Sequence, residues 1–238
     1  MDYYVLLGIK LAVALGLAVI LGNGAVVLFN RTPVQWFADD GELPAALRDL
    51  GDGGRQRLTS TPWKYIFVAL FGLCGLYLGW REPLQYEISV LLMLFPVIEI
   101  AVSDAKYNVV PDQFNILLTV AAVGFVGFYD AWWEQLAGAA VGAALILAVY
   151  GLGRLLYKKD VIGGADFKYF AAMGLIAGRA GVVCIFVLTE LLIALHALIL
   201  LVRDREALKE HRPMLVYAAA AVVIYFLFLR RALLVLEL

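Results

Sequence analysis

Apolar residues fill eight stretches of the chain, at about residues 3–28, 65–80, 87–103, 114–133, 136–157, 167–178, 181–202 and 214–229, with polar residues gathered between them. Most approach the roughly 20 residues that carry a helix across about 30 Å of hydrocarbon. Backbone polar groups in lipid have to be satisfied within their own segment, so runs of this kind predict helices. The expected fold is all-α: a polytopic membrane bundle of about eight transmembrane helices. The second and third stretches are short or interrupted. The sixth contains Gly174 and Gly178, with Gly181 just beyond, and hardly crosses unless it continues past Arg179. The first stretch follows Asp2, with no basic leader and no small-residue cleavage site, and is expected to be a retained span.

The connections set an expected orientation. Those at 30–64, 104–113, 154–168 and 203–212 carry fourteen of the nineteen Lys and Arg residues, while the opposite connections hold only Arg81 and Arg179. The positive-inside rule assigns the fourteen-charge side to the cytoplasm and both chain ends to the other side. The division is then a first helix over 1–29, a cytoplasmic loop over 30–64 and a helix bundle over 65–238. The loop is broken by Pro33, Pro44, Pro62, Gly51, Gly53 and Gly54, and is too short to be an enzyme domain by itself.

Composition agrees: 63% hydrophobic residues, 16% charged and a mean hydropathy of +0.87 lie far from the roughly 45–50% apolar and 25% charged of a soluble domain. A net charge of −1 without a basic stripe gives no reason to expect a nucleic-acid partner. Cys74 and Cys184 each stand alone inside apolar runs, so neither a disulfide framework nor a cysteine zinc site is expected. No metal or other cofactor is implied, and membrane lipid is the expected surrounding.

Two acids stand out by position. Asp104 follows the apolar run 91–102, and Asp166 closes the loop Val161-Ile162-Gly163-Gly164-Ala165-Asp166-Phe167-Lys168 ahead of another. Two long hydrophobic runs separate them and return both to one membrane edge, as an aspartyl protease of the bilayer requires. The alternative is that each is a solvated residue at a helix end. Asp112, after Pro111, reads as the N-cap of the next helix, with the proline in its first turn. Asp104 at a helix C-terminus opposes the macrodipole and has no such explanation. Gly163 and Gly164 are expected to supply positive-φ freedom and close approach, and Lys168 to anchor at the interface. Glu99, Glu190 and His196 lie within spans and are expected to be satisfied by neighbouring helices.

These residues bring a family into view. Ser103-Asp104 with Val109-Val110-Pro111-Asp112-Gln113-Phe114-Asn115 resembles the first aspartate motif of type IV prepilin peptidases and the related preflagellin peptidases. Gly163-Gly164-Ala165-Asp166-Phe167-Lys168, running into Ala171-Ala172-Met173-Gly174, resembles their Gly-x-Gly-Asp motif. Weaker likeness extends to Leu21–Pro33, with its Arg-x-Pro exit, and to Arg212-Pro213-Met214; the specific part covers about 87–178. Ala165 stands where the motif has its second glycine. The 30–64 loop lacks the paired Cys-x-x-Cys motifs of members that also methylate the mature pilin, which argues against N-methyltransferase activity.

The resemblance implies an aspartic endopeptidase, with Asp104 and Asp166 catalytic and Gly163, Gly164, Ala165, Lys168, Pro111 and Asp112 supporting them. The implied substrate is a pilin, pseudopilin or archaellin-like precursor with a short basic leader, cut at the cytoplasmic face of the inner (plasma) membrane. Asp39, Asp40, Glu42, Asp49 and Asp52 are available to meet that leader. The helix-end argument makes Asp166 the better base and Asp104 the better acid. Two other readings remain open from sequence: a non-enzymatic transporter or assembly subunit, and a presenilin-like intramembrane protease.

Overall fold

The eight apolar stretches all become helical, although two of them not as separate straight spans. The structure, a computed structural model, describes residues 3–38, 42–48, 57–157, 163–203 and 212–236. The helices are α1 (Tyr3–Arg31), α2 (Ala45–Arg48), α3 (Ser60–Arg81), α4 (Leu84–Tyr107), α5 (Asp112–Ala121), α6 (Trp132–Tyr157), α7 (Gly164–Arg203), α8 (Met214–Ile224) and α9 (Arg230–Leu236). A 3-10 run, Ala122–Phe128, extends α5, and a π-helical turn, Tyr225–Leu229, joins α8 to α9. Among the described residues six helices are long and apolar enough to cross a membrane, and the Asp112–Phe128 segment is a shorter apolar one. The chain is a multi-pass, all-α membrane protein.

The chain divides into two compact units, Met1–Glu99 and Ile100–Leu238, with α4 contributing to both. In the first, α1 and α3 run antiparallel. An ideal Cβ on Gly22 would lie 2.5 Å from the Val68 backbone nitrogen, and one on Gly75 would lie 2.9 Å from the Ala14 side chain. The small residues let the two backbones approach, the usual device where lipid removes any hydrophobic drive between helices. At one end Asn30 clamps Leu58, accepting from its N–H at 2.8 Å and donating to its carbonyl at 2.9 Å.

The second unit is organised by α7, which breaks at Gly178 (φ 70°, ψ −176°). The rings of Phe170 and Phe186 lie with centroids 5.7 Å apart. Sixteen residues of straight helix would separate them by about 24 Å, so the arms 164–177 and 179–203 fold back on each other. The sixth and seventh apolar stretches are the two arms of this hairpin. Helix α6 packs against the first arm through bare backbone: a Cβ on Gly138 would stand 2.2 Å from the Gly174 carbonyl oxygen, and one on Gly142 would stand 2.1 Å from that of Phe170. The fourth stretch is ten residues of α5 followed by the 3-10 run. That run is pinned by Gln135, whose amide donates to Ala122 O at 3.3 Å and Leu175 O at 2.9 Å. Tyr129 closes the same end by donating to the Ile176 carbonyl at 2.7 Å.

Candidate active site

Both aspartates belong to the second unit, and each is held at the start of a helix. Asp166 lies in the first turn of α7. Its Oδ2 accepts from the Gly163 N–H at 3.3 Å while its own N–H donates to the Gly163 carbonyl at 3.2 Å. The side chain thus reaches back over the first turn to one of the N–H groups that a helix start leaves without an intrahelical partner.

Asp104 lies three residues before the end of α4, at 9% exposure. Its Oδ2 accepts the Leu215 N–H of α8 at 2.8 Å, so the carboxylate faces the positive end of a second helix. The expectation that Asp104 suffers a helix C-terminus therefore misses its environment. Both carboxylates sit at helix N-termini, and helix position no longer distinguishes base from acid. The turn after Asp104 is fixed locally. Asn108 takes the left-handed conformation (φ 51°) with its N–H on the Asp104 carbonyl at 2.9 Å, and the Ser103 hydroxyl donates to the Val109 carbonyl. Asparagine is one of the few residues that adopts this conformation cheaply.

The residues around the aspartates take parts other than those expected. Pro111 (φ −56°, ψ 133°) occupies the N-cap of α5. Asp112 is the first helical residue and makes no cap bond; its Oδ1 meets Lys168 Nζ at 2.6 Å. Lys168, expected as an interfacial anchor, joins α7 to α5 and so ties the two aspartate segments together. Neither Gly163 nor Gly164 has a positive φ, and a Cβ on Gly164 would meet nothing within 4 Å. The positive-φ freedom is needed at Gly178 instead. Ala165 falls inside the first helical turn, where alanine carries no backbone penalty.

The other singled-out polar residues divide. The His196 ring is met by the Tyr217 hydroxyl of α8, as expected. Contrary to expectation, Glu99 is buried with its Oε1 lacking a hydrogen-bond partner among the described residues, as are both carboxylate oxygens of Glu87, and Glu190 is exposed rather than held by a neighbouring helix. Glu42 pairs with Arg48 at 3.1 Å, whereas Asp39, Asp40, Asp49 and Asp52 lie outside the described residues. Sequence reasoning missed Leu215, Ser103, Gln135 and Tyr129. Only Tyr129, beside the exposed Trp132 and Trp133, carried any local sign of lying at a helix end.

The segment with this geometry coincides with a family match. The type IV leader peptidase family matches residues 90–198, which contain Asp104, Asp112, Asp166 and Lys168. That match covers just under half of the chain. Among individual proteins, the chain is similar to the prepilin leader peptidase/N-methyltransferase of Bacillus subtilis, 26% identical over 165 residues covering 68% of this chain and 63% of that one. It is 32% identical over 108 residues to the protein of the same description from Klebsiella pneumoniae, covering 44% and 46% of the two chains. The Xanthomonas campestris counterpart is 32% identical over 130 residues, 52% and 44%. The chain therefore spans less than two thirds of the length of these relatives. No solved structure matches it.

Proposed function

We propose that the chain is a membrane aspartic endopeptidase that removes the short leader from prepilin-like precursors, with Asp104 and Asp166 as its catalytic pair. The observation that carries the reading is the tie between the two motif segments. The Lys168–Asp112 ion pair fastens the helix bearing Asp166 to the helix that follows Asp104, within the segment matched to the leader peptidase family. Two carboxylates brought close cannot both ionise cheaply, so they share one proton and titrate together. The ionised member takes a proton from water, and the oxygen of that water attacks the scissile carbonyl. The protonated member donates its proton to the carbonyl oxygen as the tetrahedral adduct forms. Collapse of the adduct breaks the C–N bond and returns a proton to the leaving amine.

The precursors of this reading carry a short basic leader ahead of an apolar helix and are cut at the cytoplasmic face of the inner membrane. Support for that side comes from the Lys and Arg bias of the connections around the two motifs. The test is incubation of the detergent-solubilised chain with a purified prepilin, read on a gel. Loss of the leader by the unaltered chain and not by Asp166→Asn is the expected result. An unchanged precursor in an assay that a known leader peptidase completes rejects the reading.

A further inference from the structure

At the opposite end of the second unit from the Lys168–Asp112 pair lies a cavity of about 730 Å³ that the peptidase reading does not use. Arg179, Arg230, Asp130, Glu134 and Tyr225 line it, so both signs of charge face one space. The two guanidinium groups are braced on rings: Arg179 lies 5.3 Å from the Trp133 centroid and Arg230 lies 5.6 Å from that of Phe128. Among the described residues no carboxylate is within ion-pair distance of Arg179. Its planar donors are oriented without being neutralised, which suits bidentate contact with a phosphate. Two of the unit's backbone irregularities, the break at Gly178 and the π-helical turn that begins at Tyr225, border this space.

The second observation is what adjoins the cavity. An apolar groove of about 570 Å³ shares Arg179, Ala180 and Leu233 with it and continues over Val141, Val183 and Val187. Arg179, Val183 and Val187 recur every fourth residue on one face of the second arm of α7, so the groove descends about 12 Å from the guanidinium. Val183 and Val187 are 39% and 48% exposed on a helix in the membrane, and Trp132 and Trp133, 72% and 48% exposed, mark the interface at this level. A polar chamber of mixed charge at headgroup depth, opening into an apolar channel toward the midplane, has the shape and chemistry of one molecule class.

We propose that this cavity and groove bind a membrane phospholipid whose headgroup carries both a phosphate and a primary ammonium, of the phosphatidylethanolamine type. Arg179 and Arg230 hold the phosphate, Asp130 and Glu134 the ammonium, and an acyl chain lies over Val183 and Val187. The inference does not depend on the peptidase reading. The test is thermal unfolding of the full purified chain in detergent micelles doped with phosphatidylethanolamine, phosphatidylglycerol, inorganic phosphate or phosphoethanolamine. A ligand that binds only the folded state raises Tm in a saturable way. The expected result is a saturable rise with phosphatidylethanolamine, a smaller one with phosphatidylglycerol and none with the two tailless phosphates. R179Q/R230Q loses the rise, and Val187→Trp, which fills the groove at a lipid-facing position, loses it with both arginines intact. Should the arginine variant not fold, Val187→Trp decides alone. An equal response to the two lipids, a response to free phosphate, or an undiminished rise in Val187→Trp overturns the proposal.

Discussion

Lys168 Nζ and Asp112 Oδ1 stand 2.6 Å apart across 56 residues of sequence and fasten the helix that carries Asp166 to the helix that follows Asp104. Both side chains are about half exposed, so the pair adds only about 0.2–1 kcal/mol to stability. Its consequence lies in position, where a displacement of about 1 Å at a catalytic group costs on the order of 10²-fold in rate. Lys168→Ala and Asp112→Ala are each expected to slow leader removal by about tenfold or more, as positioning changes, with little change in Tm. The exchanged double variant Asp112→Lys with Lys168→Asp is expected to recover part of the rate. Failure of the exchange to recover any activity, with both singles impaired, would assign the two residues separate roles.

Asp104→Asn and Asp166→Asn are each expected to lower leader removal by at least 10²–10⁴-fold, about the range of general acid–base contributions, while the protein still accumulates in the membrane. Asparagine retains a side-chain oxygen able to accept from the Leu215 N–H, so the start of α8 is preserved in the Asp104 variant. Full processing by either variant, measured on the same precursor, contradicts a shared-proton pair.

The pair also fixes the form of the pH dependence. On the proposed mechanism one proton is shared by two carboxylates, so the rate is expected to fall at low pH as the base is protonated and at high pH as the acid loses its proton. Asp104→Glu and Asp166→Glu are expected to move opposite limbs of the resulting bell. Both groups meet helix N-termini, so the profiles, not the fold, identify which residue is the base. Identical displacement of one limb by both variants leaves no division of labour.

Glycines separate packing from motif. Gly174→Ala drives a methyl into the Gly138 carbonyl, 2.1 Å from the ideal Cβ position, and is expected to cost about 1–3 kcal/mol through overpacking. Gly178→Ala forces a side chain into a conformation reserved for glycine, with the Tyr129 ring 2.9 Å away, at about 1–3 kcal/mol. Gly164→Ala meets open space in a helical conformation and is expected to shift stability by less than about 0.5 kcal/mol. Unfolding midpoints of the three variants in one detergent check the order.

The helices were legible because lipid enforces long apolar runs, and the aspartates because acids at the edges of such runs are conspicuous. Partners were not legible. Asp112 and Lys168 were both singled out, yet each received a local role, cap and anchor, since nothing in a sequence joins positions 56 apart. Asp104 seemed badly placed because its own helix was the only one in view; its hydrogen-bond donor, Leu215, is 111 residues away. The glycine cluster near 174–181 announced an interruption. Whether the chain bent slightly or reversed depended on one φ angle at Gly178 and on the bare face of α6 that receives the turn.

That reversal determines depth. At 1.5 Å per residue the arm 164–177 rises about 21 Å, well short of a hydrocarbon layer about 30 Å thick. A bend kept among the headgroups by Arg179 and the tryptophans of α6 would leave the opening turn of α7 submerged by several ångströms at the other leaflet. If the proposed cleavage takes place there, it is met below the waterline: the incoming precursor has to lend an unwound stretch of its chain to a pit, and the pit has to admit its own water.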